Sequence, residues 1–258
     1  MKFQAQSRSA RSSWLLEFCK RPISEEVYVA QYSSHVSLSL PVPVPRLSDS
    51  DPRMLNFDAL RRAPLSREPF DHVVVDDFLP AVAAPEVATD FPVIGATGSF
   101  PLSELSYGPA FAELIEELNS PEFERGIAEG FGLDLSPYVR VTTIRGRVSG
   151  RDGGVHTDAK WKIISVLLYL NQQWHGQGGR LRLLRSRNIN DMAVEVIPKW
   201  GVLLAFRRSD RSWHGHPPAE GDRRVVQVNW VNSQAMADRE LRRHRRTAWL
   251  KRLLGQPV

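Results

Sequence analysis

Short apolar segments separated by polar turns dominate the C-terminal half of the chain. Residues 163–170 form an almost continuous apolar run, which predicts a buried strand, and residues 180–184 alternate as a half-exposed strand does. Further apolar, β-branched or aromatic runs follow at residues 192–197, 200–206 and 225–231. Because these runs are short and no helical pattern lies between them, they indicate a sandwich or jelly roll.

The N-terminal half has a different pattern, in which residues 54–140 read as helices and strands that support the β core. Helices are predicted near residues 81–90, 109–119 and 121–131, and a terminal helix over residues 233–254. Four apolar residues of the second helix recur at helical spacing and indicate core packing: Phe111, Leu114, Ile115 and Leu118. The predicted fold class is α+β, mainly β with supporting helices.

The first part of the chain differs from both. Residues 1–53 are rich in Ser and Pro, which is typical of extended, unpacked chain. We expect a disordered leader or a non-native extension, with an N-terminal strand or helix lying over the core as the alternative. The remainder divides into a domain at residues 54–233, with a β core at about residues 138–232, and a basic helix at residues 234–258.

Composition changes this picture little. A chain of 258 residues, 42% of them hydrophobic, has enough apolar surface for one large β domain with added helices or for two small domains. The single cysteine, Cys19, excludes an internal disulfide and favours a reducing compartment. No apolar run reaches the roughly 18 to 20 residues of a membrane span, and Glu17 interrupts the apolar start of a secretory signal. We therefore expect a cytoplasmic protein.

Charge is concentrated in the terminal helix. Its basic residues outnumber its acidic ones by seven to two, a difference of +5 that equals the net charge of the whole chain. The basic residues are Arg239, Arg242, Arg243, Arg245, Arg246, Lys251 and Arg252. Such a helix is either a solvated surface or a binding site for nucleic acid, anionic lipid or a partner. Four apolar residues are expected to attach it to the domain: Trp249, Leu250, Leu253 and Leu254.

Candidate chemistry begins with His156 and Asp158, which precede the buried strand predicted at residues 163–170. Residues i and i+2 of an extended segment point the same way, so both side chains can reach one ion. His214, 56 residues after Asp158, completes a set of two imidazoles and one carboxylate, which binds one face of a first-row metal. His216 competes for the third position, and a polar turn without a metal is the structural alternative.

Other residues have weaker patterns. Four histidines lack a ligand context, and we expect surface or capping roles for them: His35, His72, His175 and His244. Four further residues flank the H-x-D pair and either shape the mouth of a site or lie on the surface: Arg147, Lys160, Trp161 and Lys162.

Residues 140–231 resemble the double-stranded β-helix (jelly-roll, cupin-like) core of the Fe(II)/2-oxoglutarate-dependent oxygenases, in particular the prolyl-4-hydroxylase-like branch. The matching segments are His156-Thr157-Asp158, Leu168-Tyr169-Leu170-Asn171, Gly178-Gly179-Arg180-Leu181, Trp213-His214 and Arg223-Arg224-Val225-Val226. Residues 70–80 match the helical N-terminal part of the family loosely. These motifs specify a reaction type and leave the substrate open.

The resemblance implies a catalytic Fe(II) site at His156, Asp158 and His214, with 2-oxoglutarate as cofactor and dioxygen as co-substrate. The reaction would release succinate and carbon dioxide and oxidise the substrate, most simply by hydroxylation. Asp158 argues against the halogenating branch, in which halide takes the place of this carboxylate. Metal binding should weaken at low pH because the ligands must be deprotonated.

In that family a basic residue nine or ten positions after the second histidine binds the far carboxylate of 2-oxoglutarate. Arg223 and Arg224 lie at these two positions, and an arginine fork suits a carboxylate. The nine-residue interval favours Arg223, with Tyr169 as a possible hydroxyl donor. Strand alternation would then turn Val225, Gln227 and Asn229 inward with Arg223, and Gln227 would line the cofactor pocket.

Two other function classes stay open. One is a cupin-like metalloenzyme that does not use 2-oxoglutarate, and the other is a catalytically idle binding module in which the basic tail matters. The substrate is either a small molecule or a protein side chain. Nucleic acid is a less expected partner, and the sequence says nothing about the oligomeric state.

Overall fold

The computed structural model describes residues 53–256. The expectations for residues 1–52 lie outside this range. Five α-helices are present in the described part: α1 (Phe57–Arg62), α2 (Ala84–Asp90), α3 (Pro109–Leu118), α4 (Pro121–Phe131) and α5 (Gln234–Leu253). Nine strands accompany them: β1 (His72–Val75), β2 (Phe100–Pro101), β3 (Val139–Val148), β4 (Lys162–Tyr169), β5 (Leu181–Leu184), β6 (Met192–Val196), β7 (Leu203–Arg207), β8 (Trp213–Gly215) and β9 (Gly221–Val231).

The strands form two antiparallel sheets. The larger sheet has the order β1-β7-β4-β9-β3-β2, and the smaller sheet has the order β6-β5-β8. Chain neighbours such as β4 and β5 lie in different sheets, so the chain passes repeatedly from one sheet to the other. This is the predicted α+β fold with a double-stranded β-helix core.

Both faces of the larger sheet are covered. On β9, Val226, Val228 and Trp230 face the helices and join the larger apolar core, which contains residues of α1, α3 and α4. Val225, on the opposite face, packs between the two sheets with Tyr169 and with residues of β5 and β7. Burial of this apolar surface on two faces stabilises the sheet that carries Arg223 and Gln227.

Helix boundaries follow local capping. Ser120 accepts a hydrogen bond from the backbone of Phe123 and starts α4, and Gly132 ends that helix in the left-handed conformation, at φ 61°.

The bounds of α3, α4 and α5 were predicted within one residue at each end. Helix α1 and strand β2 were missed because six and two residues are too short to show periodicity.

The terminal helix corrects one expectation. Helix α5 contacts the domain through Ala237, Glu240 and Ala248, which are buried, whereas the apolar residues predicted to attach it are exposed: Trp249, Leu250, Leu253 and Leu254. Several of its basic residues have intramolecular partners. The Arg252 guanidinium bonds to Glu104, and Arg239 lies over the ring of Trp161. Within residues 53–256, no helix is long and apolar enough to span a lipid bilayer.

Candidate metal and 2-oxoglutarate site

Five of the predicted site residues meet in one cavity of about 610 Å³, which we call the metal pocket. It lies on the face of the larger sheet that is turned toward the smaller sheet. The three predicted ligands line it together with Arg223 and Gln227. Residues separated by up to 71 positions in the sequence are therefore brought to one cavity, because β8 of the smaller sheet carries His214 and β9 of the larger sheet carries Arg223 and Gln227.

His156, Asp158 and His214 form the only metal-ligand cluster found among residues 53–256. Each offers one ligand atom, and these atoms lie within 4.8 Å of one another. His156 and His214 form a two-residue antiparallel bridge, with backbone N to O distances of 3.0 and 2.9 Å, and their ring centroids are 4.4 Å apart. Backbone pairing thus holds the two imidazoles side by side.

Both imidazoles have a defined tautomer. Nδ1 of His156 lies 2.9 Å from the carbonyl oxygen of Gly154, and Nδ1 of His214 lies 2.9 Å from that of Ser212. A carbonyl oxygen only accepts, so each Nδ1 carries the proton and donates it. Each Nε2 therefore keeps a lone pair for a metal, and the backbone fixes the orientation of the ring.

The carboxylate of Asp158 is buried and held from two sides. Lys162 Nζ donates to Oδ1 at 3.0 Å, and Ser165 Oγ donates to Oδ2 at 2.5 Å. Burial opposes ionisation of this carboxyl group, but Lys162, His214 and Ser165 outweigh it and lower the pKa of Asp158 to about 2. Asp158 is therefore an anion at neutral pH.

His214 shows the opposite response to burial. Removal from water penalises the imidazolium and lowers the pKa of His214 to about 4. At neutral pH this ring is uncharged and Asp158 is ionised, which are the protonation states that a metal requires of these ligands. The donor set of two neutral imidazoles and one carboxylate fits Fe(II).

His216 lines the same cavity but does not belong to the ligand cluster. Its backbone N donates to the carbonyl oxygen of Gly153 at 2.9 Å. Gly153 has φ +88°, and a Cβ at this position would lie 2.3 Å from His216 Nδ1. Only glycine fits here, so close packing against His216 positions the loop that carries His156. The structure thus favours His214 over His216 as the third ligand.

Arg223 occupies the position expected for a carboxylate-binding residue. It is buried, its Nε donates to the carbonyl oxygen of Gly179 at 3.0 Å, and its guanidinium lies over the ring of Tyr169 at 5.3 Å. Tyr169 is fully buried, and among residues 53–256 its hydroxyl has no hydrogen-bond partner. Burial raises the pKa of Tyr169, so this hydroxyl keeps its proton and remains a donor.

Arg224 lies on the opposite face of β9, away from the metal pocket. Its Nη1 donates to the carbonyl oxygen of Ala88, and its guanidinium lies over the ring of Phe91. Strand alternation separates the two arginines, as expected for neighbours on a strand. Gln227 lines the cavity on the same face as Arg223, and its side chain donates to Asn229.

Several residues of the metal pocket were not predicted from the sequence. Glu240, Arg243 and His244 of α5 line it, although His244 was expected at the surface. Burial alone would raise the pKa of Glu240, but His244 and Lys162 outweigh it and lower that pKa. Glu240 Oε2 is buried without a partner among the described residues. No local pattern could predict these contacts, because they depend on where α5 docks.

Other expectations have mixed outcomes. His72 is buried rather than exposed. Trp161 and Lys162 line the metal pocket, whereas Arg147 is exposed and pairs with Asp222. Lys160 is exposed.

Residues 145–232 match the family model of the 2OG-Fe(II) oxygenase superfamily. This range contains all three candidate ligands and Arg223. The resemblance that the sequence motifs indicated is therefore confirmed over this part of the chain. A search of curated proteins found no match.

Solved structures with similar folds include prolyl hydroxylases. A Pseudomonas putida prolyl-4-hydroxylase is 18% identical over 69% of this chain and 97% of its own, with a TM-score of 0.47. A Trichoplax adhaerens prolyl hydroxylase, solved with a peptide of hypoxia inducible factor, is 19% identical over 69% of this chain and 88% of its own, with a TM-score of 0.47.

Proposed function

We propose that the protein is an Fe(II)- and 2-oxoglutarate-dependent dioxygenase that hydroxylates its substrate with release of succinate and carbon dioxide. One observation carries this proposal: the ligand cluster and the buried Arg223 fork line the same cavity. A metal site alone would fit many enzymes, but a buried arginine facing it fits a carboxylate cofactor.

In this proposal His156, Asp158 and His214 hold the metal on one face and leave the other face for ligands. When bound, Fe(II) supplies the centre at which dioxygen oxidises 2-oxoglutarate to succinate and carbon dioxide and the substrate receives one oxygen atom. Nδ1 of each histidine would donate its proton to a backbone carbonyl oxygen, that of Gly154 or Ser212, and so orient the ring with Nε2 toward the metal.

Arg223 would bind the far carboxylate of 2-oxoglutarate by two parallel charge-assisted hydrogen bonds. The carbonyl oxygen of Gly179 orients the guanidinium through Nε and leaves its other nitrogens free to donate. The guanidinium of Arg223 stacks over the ring of Tyr169, a cation–π contact. Gln227 lines the same cavity. Arg224 has no part in this assignment because it faces the helices.

The chain should therefore consist of an oxygenase domain at residues 54–233 followed by a basic helix, with residues 1–53 dispensable for the fold. A cytoplasmic location agrees with the single cysteine but stays a prediction.

The decisive experiment is an anaerobic titration of Fe(II) and 2-oxoglutarate into the purified protein, followed by a substrate screen read by succinate release after oxygen is added. We expect one Fe(II) per chain and 2-oxoglutarate binding that depends on Fe(II). Metal binding without any 2-oxoglutarate binding would favour the cupin-like alternative. Absence of both would favour an idle binding module.

A further inference from the structure

A second, partly buried arginine lines the metal pocket on the opposite side of β9 from Tyr169. Arg145 of β3 pairs with Val225 of β9, and its side chain points into the cavity. Its Nε donates to Ser99 Oγ at 2.8 Å. Among residues 53–256, no carboxylate lies within ion-pair distance of Arg145, and no acceptor bonds to either Nη. The four N–H donors on these two nitrogens are available to a ligand.

This guanidinium is in an unfavourable environment in the protein alone. Burial first, and the neighbouring Arg223 second, lower the pKa of Arg145. The charges of Asp152 and Asp158 oppose this lowering, but neither carboxylate forms an ion pair with Arg145. Asp152 Oδ2 accepts from the backbone and the hydroxyl of Ser149, and Asp158 pairs with Lys162. A partly desolvated cation beside another cation is stabilised when an anion binds to it.

The net charge of the pocket also favours binding of an anion. The pocket is lined by five Lys or Arg side chains and three carboxylates, which leaves an excess of two positive charges even with every histidine neutral. Fe(II) and the dianion 2-oxoglutarate cancel each other, so the excess persists in the cofactor-loaded protein. A substrate with negative charge would reduce it.

The side chains of Arg223 and Arg145 are oriented at different sides of the metal pocket. Arg223 is oriented by Gly179, next to β5, whereas Arg145 is oriented by Ser99, next to β2. In the proposed function one carboxylate of 2-oxoglutarate belongs to Arg223 and the other binds at the metal. Arg145 then has no cofactor group left to bind.

We propose that the substrate carries an oxyanionic group, a carboxylate or a phosphate, which the free fork of Arg145 binds beside the metal. The inference rests on the proposed function, because it assigns a substrate class to the same site. Arg243 of α5 lines the same pocket and adds a cation from a helix that lies outside the matched residues 145–232. The planar fork suits both anions, since each presents two oxygens to parallel N–H groups.

The first test measures binding rather than turnover. Acetate and inorganic phosphate are titrated by calorimetry into protein loaded with Ni(II) and 2-oxoglutarate, in the native sequence and in Arg145→Gln. The matched control is Arg147→Gln, an exposed arginine on the same strand that pairs with Asp222. We expect at least tenfold weaker binding of the preferred probe to Arg145→Gln and no change in the control. The tighter probe identifies the anion as carboxylate or phosphate.

The same variants separate this inference from a cofactor role. We expect 2-oxoglutarate affinity to stay within threefold in Arg145→Gln and to fall at least tenfold in Arg223→Leu. If Arg145→Gln weakens 2-oxoglutarate as strongly as Arg223→Leu does, Arg145 is a cofactor anchor and the inference is wrong. It is also wrong if neither probe distinguishes the native protein from Arg145→Gln. Arg145→Lys, which keeps the charge without the fork, should give an intermediate loss and guards against misfolding of the glutamine variant.

The second test uses succinate release with matched compounds: carboxylic acids against their primary amides, and phosphate monoesters against their parent alcohols. Stimulation by the charged member of a pair alone, lost in Arg145→Gln, supports the inference, and stimulation by the neutral members overturns it. If the protein fails to bind 2-oxoglutarate at all, the proposed function fails, while anion binding that depends on Arg145 still stands as measured in the metal-loaded protein.

Discussion

Lys162 Nζ lies 3.0 Å from Asp158 Oδ1, and both side chains are about nine-tenths buried. The ammonium group neutralises a carboxylate that the candidate metal also needs. In the protein without metal, Lys162 stabilises the buried charge. In the metal-bound protein, two cations share one carboxylate.

We therefore expect Lys162→Met to have opposite effects on stability and on metal binding. Loss of the ammonium leaves Asp158 buried without its ion pair and should lower the free energy of unfolding of the metal-free protein by about 2 to 3 kcal/mol. Removal of the competing cation should raise Fe(II) affinity roughly tenfold, or about 1.4 kcal/mol. Denaturant unfolding and anaerobic metal titration measure the two effects. Lys160→Met, at an exposed neighbouring position, is the control and should change neither.

Removal of a ligand should abolish turnover while leaving the fold largely intact. We expect His156→Ala, Asp158→Ala and His214→Ala each to lower metal affinity by at least about 100-fold, since even a residue that only supports a ligand contributes 10- to 100-fold. His216→Ala should have a milder effect. Metal content after dialysis and succinate release are the measurements. Retention of iron by His214→Ala together with its loss from His216→Ala would show that the ligand assignment is wrong.

Stability of the metal-free protein should fall with decreasing pH because of His214. Its pKa is about 6.5 when unfolded and about 4 when folded, so between these values the unfolded state binds the extra proton. The contribution is fully present above pH 6.5 and is lost as the pH falls to about 4, by on the order of 3 kcal/mol.

Thermal unfolding from pH 7 to pH 4.5 tests this expectation. His214→Gln should show a shallower loss of stability than the native protein, and His175→Gln, at an exposed position, should show the native slope. Burial also lowers the pKa of His216, so part of the slope should survive in His214→Gln. If His214→Gln loses stability with decreasing pH as steeply as the native protein does, His214 is not the source of this pH dependence.

The two neighbouring arginines should differ in their effect on 2-oxoglutarate. Arg223→Leu removes a bidentate charge-assisted contact and should weaken 2-oxoglutarate binding by about 1.5 to 3 kcal/mol, or roughly ten- to a hundredfold, without loss of iron. Arg224→Leu should change it little, because Arg224 faces Ala88 and Phe91. Calorimetric titration of the metal-loaded variants measures both. The reverse ranking would move the role to Arg224, and no effect from either would favour an enzyme that does not use 2-oxoglutarate.

A chain that begins at Met54 should fold and bind iron as the full chain does. The described domain already starts there: the backbone N–H groups of Met54 and Leu55 donate to Glu117 at 2.6 and 2.8 Å. Thermal unfolding and metal content of the shortened protein are the measurements. Arg53 contacts Glu122 and lies over the ring of Phe57, so Arg53→Ala in the full chain is the control for loss of the interactions of this side chain. A larger loss of stability in the shortened protein than in this control would show that the preceding residues are structural.

The sequence by itself determined five of the nine described strands (β4 to β7 and β9), helices α2 to α5 and the candidate ligands. Residues 163–170 and 225–231 are nearly continuous runs of apolar residues. Such a run predicts a buried strand from the local sequence alone. His156 and Asp158 are two residues apart, so their ability to reach one ion depends on local geometry alone. The interval from His214 to Arg223 was informative through the family resemblance, which the match of residues 145–232 confirms.

Tertiary structure decided the rest, because long-range packing chooses between residues that are locally equivalent. Arg223 and Arg224 are adjacent and chemically identical, and only the packing of helices against one face of β9 shows which arginine reaches the cavity. Arg145 has no motif of its own, and its free fork becomes evident only when β3 pairs with β9. Helix α5 was predicted, yet its attachment through Ala237 and Ala248 rather than Trp249 depends on the shape of the surface that receives it. That docking brings Glu240, Arg243 and His244 to the metal pocket, and no periodicity along the chain encodes it.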